Sequence, residues 1–201
     1  NYVNDKGVKY QPDAKPGDFK WKDVDGNGVI DDNDRTILGS YFAPFSFGVN
    51  VKLEYKGFDL GVDITGVAGI YNSKKAPYDY NQFNFMECWE NRWHGEGTSN
   101  KYPILSNMRP DNMRASDFFV ENGSYVRLRN VQLGYTFPKA WMHKIYLNSL
   151  RIYASAQNLL TLTAFDGWTP EIGGSPLESG VDSGSLYPLP ATITFGLNLT
   201  F

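Results

Sequence analysis

The stretch Pro190–Phe201 reads P-A-T-I-T-F-G-L-N-L-T-F. Ala191, Ile193, Phe195, Leu197, Leu199 and Phe201 are apolar, while Thr192, Thr194, Gly196, Asn198 and Thr200 are polar or small. Strict alternation of this kind gives a strand one greasy face and one wet face. An apolar, aromatic-ended edge strand on a soluble sandwich invites aggregation. A strand paired on both sides in a closed barrel does not. Alternation alone leaves open whether the greasy face meets lipid or a protein core.

Working outward, four more stretches carry the same signal. In Ser46–Lys56, Phe47, Val49, Val51, Leu53 and Tyr55 share one face, and Gly48, Asn50, Lys52 and Glu54 the other. Lys56-Gly57 reads as a tight reversal, with Gly supplying the positive φ that a hairpin turn needs. Phe58–Tyr71 sets Phe58, Leu60, Val62 and Ile64 against Asp59, Gly61, Asp63 and Thr65. Leu150–Ala164 alternates from Leu150 to Gln157. Ser124–Phe137 keeps phase only in its lower half, through Val131, Leu133, Tyr135 and Phe137. Val126 and Leu128 fall on the opposite parity, with Arg127 and Arg129 between them. Either a bulge shifts the phase, or this half stands above a bilayer.

The connections are of two kinds. Those at 56–57 and 138–149 are short, whereas segments 1–45, 72–122 and 165–189 are long and fall at the opposite end of every up-down pair. Short turns on one side and long loops on the other characterise outer-membrane barrels, the short ones periplasmic and the long ones extracellular. The strands also reach or exceed the roughly 9–11 residues that cross a bilayer at a tilt. Within 72–122, Phe85–Trp93 reads as a short helix.

Composition agrees. The net charge is −3 with no basic run, which argues against nucleic acid. One cysteine, Cys88, excludes an internal disulfide. Mean hydropathy of −0.41 and the lack of a long apolar run exclude a transmembrane helix, but alternating barrel strands average to such a score. Aromatic residues make up 15% of the chain, which suits interface girdles or sugar-stacking platforms. The chain begins on Asn with nothing resembling a signal peptide, so it reads as a segment of something longer.

Asp23–Asp34 reads D-V-D-G-N-G-V-I-D-D-N-D. Taken as a calcium loop, it supplies oxygens from Asp23, Asp25, Asn27, the Val29 carbonyl, Asp31 and Asp34. Gly28 falls where the chain must turn sharply, and Ile30 faces inward. The last ligand is Asp rather than Glu, a shorter arm of the dockerin-like form, and the preceding F-K-W-K-D reads as strand rather than helix. The alternative is an Asx/Gly turn whose side chains cap its own backbone. Trp89, Trp93, Trp168, Tyr78 and Tyr80 lie in the long loops, where they either contact substrate or partner or form the loops' own small cores. His94 and His143 are isolated and read as solvated. Asp59 and Asp63 read as ordinary carboxylates on a wet face. No nucleophile–base pair, catalytic carboxylate pair or phosphate loop stands out, so the chain does not read as an enzyme.

Several stretches together resemble the C-terminal part of a SusC/RagA-type TonB-dependent outer-membrane transporter. They are K-P-G-D-F-K-W-K-D-V-D-G-N-G-V-I-D-D-N-D-R-T-I-L-G at Lys15–Gly39, Y-K-G-F-D-L at Tyr55–Leu60 and N-R-W-H-G-E-G-T-S-N at Asn91–Asn100. E-N-G-S-Y-V-R-L-R-N-V-Q-L-G-Y-T-F-P at Glu121–Pro138, L-R-I-Y-A-S-A-Q-N-L-L-T at Leu150–Thr161 and the terminal F-G-L-N-L-T-F complete the match. The resemblance implies an all-β fold: the C-terminal strands of a large antiparallel transmembrane β-barrel of about 22 strands. Residues 1–45 are then an extracellular loop, and 46–201 the last five strands with two long extracellular loops. It further implies import of an oligosaccharide or peptide, a SusD-like surface lipoprotein, a TonB complex engaged through a missing N-terminal part, and surrounding outer-membrane lipid. The rival reading is a secreted, calcium-dependent all-β carbohydrate-binding module. That module would hold Ala191, Ile193, Phe195, Leu197 and Leu199 in a dry protein core.

Overall fold

The computed structural model of the protein describes residues 2–74, 87–106, 108–173, 180–183 and 186–201. Its strands are β1 (Phe45–Tyr55), β2 (Phe58–Ala68), β3 (Tyr71–Lys74), β4 (Val120–Asn122), β5 (Tyr125–Thr136), β6 (Ser149–Thr163), β7 (Val181–Asp182) and β8 (Thr192–Thr200). The single α-turn among the described residues is α1, Lys139–Met142. Five strands form one antiparallel sheet in the order β1-β2-β5-β6-β8, and β4-β3-β7 form a second, small sheet. By internal packing the chain divides into a loop unit, Asn1–Leu38 with Lys74–Phe119, and a strand unit, Gly39–Ser73 with Val120–Phe201.

Register follows the alternation. In the strand unit, Val51 pairs with Val62 and Leu53 with Leu60. Val62 then pairs with Val131, and Leu60 with Leu133. Leu133 pairs with Ala154, which pairs with Phe195. Directly opposed residues lie on one face, so the greasy residues of all five strands form one continuous surface. Lys56 and Gly57, with φ of 47° and 90°, turn β1 into β2 as a two-residue hairpin requires.

The phase slip in β5 is a bulge. Asp63 pairs with Asn130 but Ile64 with Leu128, so Arg129 has no counterpart on β2. On the other side Leu128 pairs with Leu160 and Asn130 with Gln157. Asn158 there takes a φ of 51°, which Asn tolerates. The extra residue returns Val126 and Leu128 to the greasy face and keeps Arg127 on the wet one.

Two boundaries differ from the periodicity. β2 ends at Ala68 because Gly69 adopts a φ of 79°, and Tyr71 starts β3 in the small sheet instead. The long segments 72–122 and 165–189 are not wholly irregular, since they supply β4 and β7. In place of a helix over Phe85–Trp93 there is a 3-10 turn at Glu87–Asn91, and residues 85 and 86 lie outside the described set.

Among the described residues, the buried hydrophobic side chains are Ile70, Trp89, Phe119, Tyr125, Met142 and Phe165. None of them belongs to the greasy face of the five strands, and that surface is covered by no other described part of the chain.

Candidate functional site

The wet face of the sheet is a built polar surface. Arg151 on β6 reaches across Gly134 on β5 to Asp59 on β2, with Nε to Oδ1 at 3.0 Å and a second N–H to Oδ2 at 2.5 Å. A Cβ at Gly134 would lie 2.4 Å from Asp59 Oδ1 and 2.5 Å from the Arg151 guanidinium, so the pair needs glycine there. Asp63 accepts from the side-chain amides of Asn50 and Asn130. Both aspartates are thus engaged cross-strand rather than simply solvated.

Nearer the long loops, Arg127 is 1% exposed. Its guanidinium donates to Thr161 Oγ1 at 2.9 Å, Glu171 Oε2 at 2.5 Å and Thr169 Oγ1 at 3.2 Å, and lies over the Tyr125 ring at 5.1 Å. The bulged Arg129 donates to both oxygens of the same Glu171. Burying a guanidinium is costly unless it is paired and its donors are used. Glu171 therefore fastens its loop to the strand wall. Buried Asn72 adds a second tie, donating to the Pro170 carbonyl at 2.9 Å. The sequence hinted at this cluster only through the out-of-phase arginines.

In the loop unit, the acidic loop brings one carboxylate oxygen each of Asp23, Asp25 and Asp34 within 4.8 Å of one another. Backbone N–H groups organise them. Gly26 and Gly28 donate to the two oxygens of Asp23, while Val24 and Asp31 donate to the two of Asp34. Asn27 Oδ1 accepts from Val29 N. Asp31 is outside the three-carboxylate group. It caps the 3-10 turn Asp32–Asp34 by accepting from Asn33 N. The hydrogen bonds from Asp31 N, then Val24 N, hold the Asp34 carboxyl below its ordinary pKa. Both readings of the loop thus have a counterpart: the turn caps itself, and three anionic groups still converge.

The loop aromatics separate by burial. Trp89 is 3% exposed and packs edge-on to Tyr102 at 5.8 Å, so it is core. Tyr102, Phe118, Phe119 and Phe19 continue that aromatic core. Trp93 is half-buried, whereas Trp168 in the strand unit is 69% exposed. Tyr78 and Tyr80 lie outside the described residues. His94 and His143 are both exposed. Sequence reading missed the linkage of Asp18, Arg109 and Asn112. Asp18 accepts from Arg109 at 2.6 Å and from Asn112 Nδ2 at 3.0 Å. The partners are 91 and 94 residues apart, beyond any local pattern.

An antiparallel wall, greasy on one face and polar on the other, with long loops at one end, is the architecture of the TonB-dependent receptor barrels. The RagAB peptide importer in its closed-closed state superposes with a TM-score of 0.67 at 26% identity, over 89% of this chain and 20% of that one. Among curated proteins, TonB-dependent receptor P3 of Formosa agariphila is 35% identical over 94% of the chain and 19% of its own length. TonB-dependent receptor SusC of Bacteroides thetaiotaomicron is 28% identical over 96% of the chain and 18% of its own length. No family model matches. The chain belongs to the SusC/RagA-type TonB-dependent receptors, and it spans about a fifth of the length of the curated relatives it matches.

Proposed function

We propose that this chain contributes five adjacent strands to an outer-membrane barrel. That barrel imports an oligosaccharide or peptide nutrient, driven by TonB, in company with a SusD-like surface lipoprotein. One observation carries the reading: the greasy face shared by the five strands is exposed, with Phe195 at 80%, Ile193 at 63% and Leu197 at 58%. A soluble module would bury these side chains in a dry core, and among the described residues nothing covers them. Lipid is the solvent in which such a surface is stable.

Aromatic side chains bracket that surface. Phe45 and Phe47 lie at one end, 5.9 Å apart. Phe58, Tyr135 and Phe137 cluster at the hairpin end, with centroids 4.5 and 5.0 Å apart. Between Phe45 and Tyr55, at about 3.3 Å per residue, β1 runs about 33 Å, or about 25 Å across a bilayer at a tilt of about 40°. That matches the apolar band of an outer-membrane barrel and its two girdles. The hairpin at 56–57 and the connection at 138–149 then face the periplasm. The long segments 1–45, 72–122 and 165–189 face outside.

We further propose that Asp23–Asp34 holds calcium. Three carboxylates within 4.8 Å repel one another, and a hard cation relieves that repulsion while completing its shell with Asn27 and the Val29 carbonyl.

Uptake of labelled oligosaccharides and labelled peptides by cells carrying the full-length transporter tests the import reading. Uptake of one class that stops when TonB is removed supports it. Uptake that continues unchanged without TonB sinks it.

A further inference from the structure

The chain that joins β5 to β6, residues 137–148, reads F-P-K-A-W-M-H-K-I-Y-L-N, and import as such gives it no task. Its backbone is well tied. Trp141 N and Met142 N donate to the Pro138 carbonyl at 3.0 and 3.4 Å, and Leu147 N donates to the Met142 carbonyl at 3.1 Å. Tyr146 ends the turn in the left-handed region, at a φ of 59°. At the two ends, Phe137 N donates to the Leu150 carbonyl at 3.0 Å and Asn148 N to the Thr200 carbonyl at 2.8 Å. The connection is thus fastened to both β6 and β8.

One side chain pins it from within, since Met142 is buried and α1 packs against β6. The rest is uncovered without being polar. Tyr146 is 94% exposed and Trp141 59%, and Ile145 is exposed as well. Tyrosine and tryptophan, apolar in body and polar at the tip, suit the boundary between hydrocarbon and water. The cluster also continues a surface already described. Leu150, where the chain re-enters the wall, stands opposite Leu199 on the greasy face, and the Phe137 ring packs edge-on against Tyr135.

Charge adds the second half of the argument. The whole chain is net −3, yet no Asp or Glu occurs between Glu121 and Asp166. Lys139 and Lys144 are exposed, and among the described residues neither forms an ion pair. The hairpin beside them brings a third lysine. Thr136 N donates to the Gly57 carbonyl at 2.7 Å, and the Lys56 ammonium lies 5.1 Å from the Tyr55 ring centre. The acids flanking that hairpin, Glu54 and Asp59, oppose each other on the wet face, and Asp59 is held by Arg151. Lysine stems lie along apolar surface and lift their ammonium groups into the headgroup layer, where phosphate is the counter-charge. A zwitterionic headgroup carries its own ammonium, so these lysines favour a net negative one.

We propose that residues 139–146 bind the headgroup of an anionic glycerophospholipid, with Lys139 and Lys144 on its phosphate and Trp141 and Tyr146 seated beside it. The inference rests on the barrel reading, which sets this end of the wall at the periplasmic leaflet, and adds a lipid preference to it. Continuity with the greasy face favours a bilayer over a protein partner.

Native mass spectrometry of the purified full-length transporter, in micelles doped with phosphatidylglycerol or with phosphatidylcholine, tests it. The parent should retain phosphatidylglycerol in preference. Lys139→Ala and Lys144→Ala should each weaken that retention about fivefold, the scale of one basic residue near a charged membrane surface. Lys9→Ala, at an exposed lysine of the loop unit, should leave it unchanged. Equal retention of the two lipids, indifference to both lysine substitutions, or displacement by inorganic phosphate at matched concentration would each overturn the site. In vesicles of bromine-labelled phosphatidylglycerol, tryptophan emission lost in Trp141→Phe should be a strongly quenched component. An unquenched component would mean that protein covers Trp141, and would overturn it too. Gel mobility of the same samples, heated and unheated, keeps the two readings apart. A heat-shifted band with lysine-independent retention rejects the lipid site and leaves the barrel standing. A missing heat shift in the parent rejects the barrel itself.

Discussion

Arg151 closes its two hydrogen bonds on Asp59 by lying flat over the backbone of Gly134, so that one ion pair ties β2, β5 and β6 together. The pair is only about a quarter exposed, at 22% and 24% for the two side chains. A methyl group at Gly134 displaces both charged ends at once. Gly134→Ala should cost about 1.5–3 kcal/mol, the scale of hydrogen bonds to charged groups. The temperature at which the folded gel band converts to the unfolded one should fall accordingly. A conversion temperature equal to the parent's would mean that the pair adds nothing to the wall.

The greasy face makes a sharper demand. Phe195 lies opposite Ala154 in the middle of that surface, whereas Thr194 lies opposite Ser155 on the wet one. A charge on the lipid face near the midplane costs roughly 2–4 kcal/mol. Phe195→Arg should therefore cut the yield of folded barrel steeply, and Thr194→Arg should be close to neutral. Asn198 is a poorer control because it stands opposite Arg151. Equal folded yields for the two arginine variants would return the greasy face to a protein core and revive the soluble-module reading.

Glu171 stands between two arginines, one of them almost fully buried. Among the described residues, Glu171→Ala leaves Arg127 with the hydroxyls of Thr161 and Thr169 and no counter-charge, and breaking a buried pair this way costs about 3–5 kcal/mol. Limited proteolysis within 165–173 should accelerate strongly. Replacing both partners, Arg127→Met with Glu171→Ala, should recover part of the loss, since no buried charge is then stranded. If the double variant is cleaved as fast as the single one, burial of the guanidinium is not the source of the effect.

The acidic loop gives a calcium prediction and a pH prediction. Asp23→Ala should abolish calcium binding by the loop and loosen residues 15–40 to hydrogen exchange while leaving strand protection intact. A well-ordered parent loop that takes no ion from millimolar calcium would refute the metal and leave a self-capped turn. Without calcium, the lowered pKa of Asp34 sets the pH dependence. A carboxyl depressed below its unfolded value of 3.8 contributes its full stabilisation above that pH and loses it as the pH falls through the lower folded value. Protection of Val24 and Asp31 amides, corrected for intrinsic rates, should thus persist down to about pH 4 and fade below it. Fading at pH 6 instead would assign their protection to some other group.

Much of the wall was legible because its signal is local. Period two fixes each strand, and the slip between Leu128 and Val131 marks the Arg129 bulge, although the same slip fitted a strand rising above a bilayer. The acidic loop was legible for the same reason, since its ligands lie within twelve consecutive residues, Asp23 to Asp34. β3, β4 and β7 were not, because strands of 4, 3 and 2 residues are too short to show a period. Nor was the contact of Asp18 with Asn112, which meet only through the folded loop unit. The Arg127–Glu171 tie likewise joins residues 44 apart, through geometry that no pattern in either segment encodes.

Gly196 repeats what Gly134 does. A Cβ there would sit 2.1 Å from the Tyr153 ring, so the phenol, like the Arg151 guanidinium, reclines on bare backbone. These two long polar side chains are laid along the wall rather than standing off it. In the barrel proposed for this chain, the clearance at those two places would be set by the peptide skeleton rather than by whichever rotamers happen to point inward.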